Sequence, residues 1–188
     1  MSIATAPITP EDLLLMPDEG QGYELVDGEV REMNVSKESS RTSGKISHFL
    51  EVYCETVAPG WVYPEGTSFR CFPDDPGRVR RADAAFISLA RMPAETYEDE
   101  GHCSIVPDLV AEVVSPNDLA HEVQEKLEQW LDAGVKIVWI VQPETKTVRV
   151  HRADGGYAFL KEADTLTAEG VLPGFSIPVA KLFKKPGE

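Results

Sequence analysis

Long apolar runs are what this chain of 188 residues lacks first: no stretch approaches the roughly 18 consecutive apolar residues that a membrane helix needs, so no membrane partner is expected. The segment from Met1 to Pro10 has neither the basic start nor the apolar core of a secretory signal, and the expected location is the cytoplasm. Cysteine is scarce as well. Cys54, Cys71 and Cys103 are odd in number, far apart and outside any C-x-x-C pair, which argues against a disulfide framework or a zinc site and leaves free buried thiols. His48, His102, His121 and His151 are equally scattered, and the adjacent His102 and Cys103 have no second ligand pair at metal-binding spacing. Positive charge is the last shortage: 18 Lys and Arg against 32 Asp and Glu leave a net charge of −14. That balance opposes nucleic acid as a partner, because phosphates are bound chiefly through Lys and Arg. It does not close the question, since a polyanion meets the local field of one face and a carboxylate-rich metal site itself adds negative charge.

What the chain does contain, 42% hydrophobic residues, fills one core and is too little for two ordinary domains. One domain over residues 1–188, with its core at about 9–183, is the expectation. Thr9-Pro10-Glu11-Asp12 ahead of three leucines reads as a helix start that ends near Pro17. Tyr23 to Val26 and Glu29 to Met33 flank Asp27-Gly28, the preferred two-residue hairpin turn. From Lys37 to Val57, Ile46, Phe49, Leu50, Tyr53, Cys54 and Val57 recur at the three-and-four spacing of a helix with one buried face, with Lys37, Arg41 and Lys45 on the other side. That basic row is either a solvated face or a contact for DNA. Pro59-Gly60 ends the helix, and Trp61 to Tyr63, Thr67 to Phe72 and Arg81 to Ile87 read as successive antiparallel strands. The acidic stretch Glu95 to Gly101 reads as an exposed loop.

The second half has a different pattern. Leu109 to Val114 is a near-continuous apolar run, Asp118 to Ala133 is helical in spacing, and Ile137 to Val141 is apolar again. Strand, helix and strand in that order predict a right-handed crossover at the centre of a sheet. Thr147 to His151 and Tyr157 to Leu160 flank Asp154-Gly155-Gly156 as a second hairpin, and a short element near Val179 to Phe183 closes the chain.

Glu112 is the residue that most needs an explanation, because it interrupts a strand otherwise apolar on both faces. A carboxylate buried there must be protonated, paired with a cation or bound to a metal; an arginine at the strand end is the structural alternative. Asp83 is similarly set at the start of the apolar strand Arg81 to Ile87, on one face with Ala85 and Ile87, with Arg80 or Arg81 as its structural partners. Lys126 is picked out by helix geometry. At about 100° per residue it points within roughly 20° of Leu119, in the arc that Val123, Leu127, Trp130 and Leu131 bury. It either snorkels along the apolar face or reaches the carboxylates.

Two strand acids and a lysine suit phosphodiester hydrolysis: the acids hold a hard divalent cation and the lysine steadies the attacking hydroxide or the developing charge. Mg²⁺ is the natural ion, with Mn²⁺ as a substitute, because it takes oxygen ligands, keeps several waters and needs only one or two carboxylates. Glu24 could supply a further acid, with Glu29 as a rival.

These segments, together with Pro107 to Pro116, Gly134-Val135 and Trp139 to Val141, resemble in order the landmarks of the Uma family of restriction endonucleases, within the PD-(D/E)xK nuclease superfamily. The resemblance spans about Thr9 to Phe183. It implies an α/β fold, a restriction-endonuclease-like mixed β-sheet core flanked by helices with additional N-terminal and C-terminal β-hairpins, and a Mg²⁺ site at one edge. It implies Asp83 and Glu112 as catalytic metal ligands, Lys126 as a catalytic lysine relocated to the helix from the position that Val114 occupies, and Glu24 as a recurrent acid of the first hairpin. Ala82, Gln142 and Ser43 depart from the proline, aspartate and histidine common in the family. The last two departures remove polar support for the metal ligands.

The leading expectation is therefore a Mg²⁺-dependent DNA endonuclease or phosphodiesterase. The alternative is a catalytically inactive nuclease-fold module for binding or oligomerisation, with a homodimer as its natural form; the net charge, Val114 and Gln142 favour it. A hydrolase of small phosphorylated molecules is a third reading. A closed pocket would favour that one, whereas an open cleft lined by Lys37, Arg41, Lys45, Arg78 and Arg80 would favour DNA.

Overall fold

The Asp27-Gly28 turn forms because both residues take positive φ (53° and 76°), the twist that two paired strands require of a two-residue connection. The computed structural model describes residues 7–57, 60–97, 100–185 and 187. Met1 to Ala6, Pro59 and part of the acidic stretch 95–101 therefore lie outside the described residues.

In chain order, helix α1 (Pro10–Leu14) starts on a capping box between Thr9 and Asp12. The first hairpin is β1 (Tyr23–Val26) and β2 (Glu29–Glu32). Helix α2 (Lys37–Thr56) follows, N-capped by Ser36. Next come β3 (Gly60–Pro64), β4 (Ser68–Phe69), β5 (Arg80–Arg81), β6 (Ala84–Ser88) and β7 (Leu109–Val113). Helix α3 (Ala120–Asp132) leads to β8 (Ile137–Gln142), β9 (Thr147–Arg152) and β10 (Tyr157–Leu160). The hairpin of β11 (Thr165–Ala168) and β12 (Leu172–Pro178) precedes helix α4 (Ala180–Phe183).

Six strands make one mixed sheet in the order β10-β9-β8-β7-β6-β3. Only β7 and β8 run parallel, joined by α3, which is the strand–helix–strand crossover that the apolar pattern predicts. Both faces are covered. Ala84, Phe86, Leu109, Ala111, Trp139, Val148 and Val150 pack on one side with Ile46 and Leu50 of α2 and with Leu166, Phe175 and Phe183 of the C-terminal hairpin and helix. Ala85, Ile87, Val110, Val138 and Ile140 pack on the other with Leu127 and Trp130 of α3 and with Phe69 and Phe72. A mixed sheet between helices is thus the architecture, and it follows from central strands that, Glu112 apart, are largely apolar on both faces.

Five expectations change in detail. The run Arg81 to Ile87 is broken between β5 and β6, and Thr67 to Phe72 contributes only Ser68–Phe69, paired with Arg80–Arg81 in a separate ribbon. The hairpin of β9 and β10 is part of the main sheet, so the additional C-terminal hairpin is β11–β12 instead. Leu119 is the N-cap of α3 and 53% exposed, outside the buried arc in which sequence spacing put it. The row of Arg41 and Lys45 turns to the chain's end, with Arg41 donating to the carbonyls of Phe183 and Lys184 and Lys45 to those of Lys181 and Lys184.

Candidate functional site

Strand alternation decides where Glu112 points. Leu109, Ala111 and Val113 of β7 enter the cluster on the α2 side, so Glu112, between the last two, faces α3 together with Val110. The ladder between β6 and β7 ends at Ala84 opposite Ala111. One further step of that register would set Asp83 opposite Glu112. Instead the Asp83 side chain takes the next donor: its Oδ2 accepts from the Val113 N–H at 2.5 Å. The strands part there with one carboxylate on each.

Lys126 of α3 closes the gap. Its Nζ lies 2.9 Å from Glu112 Oε2 and 3.0 Å from Glu24 Oε1, and it donates to the Arg81 carbonyl at 2.7 Å. The inward direction expected from its helical position is therefore correct, and it reaches the carboxylates instead of snorkelling away from them. Glu24, buried on β1, accepts from the Arg81 N–H at 2.7 Å and pairs with Arg80 at 2.8 Å. Among the described residues no arginine pairs with Asp83 or Glu112: Asp83 caps the Val113 N–H, as a strand-end acid can, and the cation beside Glu112 is Lys126.

Glu112 has a partner that the search for acids and bases did not single out. The buried Trp130 donates its indole Nε1–H to Glu112 Oε1 at 2.7 Å. The signal was present in the sequence, because Trp130 stands four residues after Lys126 and thus on the same face of α3. Arg80, expected as a partner of Asp83 or as a cation facing DNA, pairs with Glu24 instead. It reaches Gln129 at 2.8 Å and Glu125 at 3.4 Å while holding Glu24.

Three acids share this one lysine, and the consequences differ by acid. Burial pushes Glu24 up, but Lys126, Arg80 and the Arg81 N–H outweigh it and hold its carboxyl below the usual range. Glu112 has no arginine; burial, helped by the negative charge of Glu24, outweighs Lys126 and Trp130 and raises it. Asp83 is pushed up to about 8, by burial first and by Glu112 second. Burial pulls Lys126 down, yet Glu112, Glu24 and Asp83 together outweigh it and hold its ammonium above the ordinary lysine range.

Asp83, Glu112, Lys126, Glu24 and Arg80 all line one cavity of about 140 Å³, walled by Met33 and Val35 after the first hairpin and by Val114 and Val123. Lys37, Arg41, Lys45 and Arg78 do not line it. Arg78 pairs with Asp74 at 2.8 Å, so of the five cations expected to favour DNA only Arg80 is at the site, and it is already ion-paired. Ser43 still supports the site: its hydroxyl donates to the Asp83 carbonyl at 2.6 Å.

Among the described residues no group of three or more His, Cys, Asp or Glu could hold a metal ion by itself. The donor chemistry nevertheless fits a hard cation. Two facing carboxylates with raised pKa are short of positive charge, and such an ion takes one or two carboxylates and completes its shell with water.

The family model described as "Uma2: Putative restriction endonuclease" matches residues 10–180. No curated protein matches the chain. Among solved structures, a "putative nuclease belonging to DUF820" from Anabaena variabilis superposes with a TM-score of 0.76 at 17% identity, covering 94% of this chain and 98% of that one. At that identity the likeness is one of fold.

Proposed function

The chain belongs to the Uma2 family of restriction-endonuclease-like proteins, and on that premise we propose that it hydrolyses phosphodiester bonds with a divalent cation held by Asp83 and Glu112. The observation that carries the reading is the convergence of Asp83, Glu112 and Lys126 on one cavity, from the entrance to β6, from β7 and from α3. Mg²⁺ is the ion that suits two carboxylates with water, with Mn²⁺ as its substitute, and DNA is the substrate proposed from the family's description. When bound, the ion would polarise the phosphate and lower the pKa of a water. Lys126, held protonated, is placed to steady negative charge on the attacking hydroxide or on the phosphate oxygens. Glu24 is anchored by Arg80 and the Arg81 N–H, and its part is to fix the Lys126 ammonium rather than to hold the ion.

Cleavage titrated against Mg²⁺ and Mn²⁺ with Glu112→Ala tests this. A fall of about a hundredfold or more is expected from losing one of two ion-holding carboxylates; activity equal to that of the native chain removes Glu112 from the mechanism. One observation favours a second reading, an inactive module for binding or self-association: every cation lining the cavity is already ion-paired. That reading predicts no carboxylate-dependent uptake of Mn²⁺ in calorimetry and a stable dimer in light scattering.

A further inference from the structure

Helix α3 holds both oxygens of one carboxylate. Lys126 is 2.9 Å from Glu112 Oε2, and Trp130, one turn later, donates to Oε1 at 2.7 Å. A carboxylate can rotate about its last bond, and a single partner would leave that rotation open. Two partners four residues apart on one helix face fix it. The indole is itself fixed, since Trp130 is fully buried and packs edge-on against Phe69 with ring centroids 5.7 Å apart and tilted against Phe72 at 5.0 Å. The pairing is chemically economical, because an indole N–H has one donor, no acceptor and no charge. It satisfies Oε1 without adding a cation that would compete with a metal, and it leaves Oε2 as the oxygen turned to Lys126 and the cavity.

We propose that Trp130 is a positioning residue of the site: its N–H pins Glu112 Oε1, so that Oε2 is presented at a fixed angle to Lys126 and to the cation. This rests on the nuclease reading above and adds a residue that acts through Glu112. Groups that orient a metal ligand in this way are commonly worth 10- to 100-fold in metal affinity.

Trp130→Phe keeps a ring against Phe69 and Phe72 and deletes the donor, together with part of the indole's volume. Calorimetry with Mn²⁺ is expected to show about tenfold weaker binding in this variant, with kcat reduced and KM unchanged, while its circular dichroism remains native. Equal Mn²⁺ affinity in a folded Trp130→Phe overturns the positioning role alone. A native chain that takes up no Mn²⁺ overturns the nuclease reading, and the positioning role with it. Should the variant not fold, the indole ¹H–¹⁵N resonances of the native chain decide. Trp61 donates its indole N–H to the Met92 carbonyl, and that of Trp139 has no partner among the described residues, so the three indoles stand in different surroundings. The Trp130 resonance, identified as the one displaced by Glu112→Gln, is expected to shift as Mg²⁺ binds. An unmoved Trp130 signal at saturating Mg²⁺ overturns the proposal.

Discussion

At Asp83 the chain holds a carboxylic acid that is half protonated at about pH 8, because it is buried and faces Glu112. An acid whose folded pKa lies above its unfolded one binds more protons folded than unfolded between the two values. Its contribution to stability is therefore full near pH 4, falls as pH climbs towards 8 and is flat beyond. Asp83→Asn cannot ionise and should lose that slope: in thermal melts with chelator, the variant should gain on the native chain as pH rises from 4 to 8. Parallel melting curves would show that burial does not tax Asp83. The same acid sets the sign for metal uptake, which should tighten as pH rises through about 8 and protons leave the carboxylate. At this scale the sequence was informative for Asp83, Glu112 and Lys126, because a charge inside an apolar pattern demands a partner. For Trp130 it showed the helix face without the acceptor, and for Arg80 it offered the wrong acid. An indole in a buried arc looks like core until its single N–H is seen to have an acceptor, and an arginine at a strand end is assigned to the nearby Asp83 until Glu24 is found 2.8 Å away.

Among the elements, the first hairpin depends on a residue outside it. Arg81 is buried on β5, and its guanidinium donates to the carbonyls of Glu19, Gly20 and Tyr23 ahead of and within β1 and to that of Gly66 beyond β3. Its backbone N–H and C=O meanwhile hold Glu24 and Lys126. Arg81→Leu would leave those carbonyls without their donor, which should cost about 3 kcal/mol in urea unfolding. A loss under about 1 kcal/mol would mean that water replaces the guanidinium there. This arrangement also explains a misread boundary. Arg81 to Ile87 has the composition of one strand, but Asp83 spends its side chain on the Val113 N–H and the ladder stops. The hairpin of β11 and β12 was illegible for another reason. Its buried residues, Leu166, Ala168, Leu172, Phe175 and Ile177, do not alternate through Pro173 and Gly174, and a bulge at Thr167/Ala168 shifts the register.

For the molecule as a whole, the net charge of −14 is not offset at the site, where Arg31, Arg80 and Lys126 are each ion-paired. On the proposed reading, any hold on a phosphate chain would then come largely from a bound cation. In chelator at physiological salt, fluorescence anisotropy with duplex DNA should give a Kd weaker than about 10⁻⁴ M, the weak end of ordinary non-specific binding. A Kd tighter than about 10⁻⁶ M without divalent cation would point to a basic surface elsewhere. The order of strands and helices was readable because the sheet is covered on both faces and its apolar runs are long. The charge of the cleft was not, because side-chain pairing across 56 residues, as between Glu24 and Arg80, leaves no periodic trace.

The reach of Lys126 to Glu112 and Glu24 has one more consequence. The chain carries its own counter-charge for two of the three clustered carboxylates, so the part of the fold that Glu112 and Glu24 occupy is balanced from within. On the proposed reading a divalent cation taken up beside Asp83 would add to the stability of that fold, because it binds the folded chain alone.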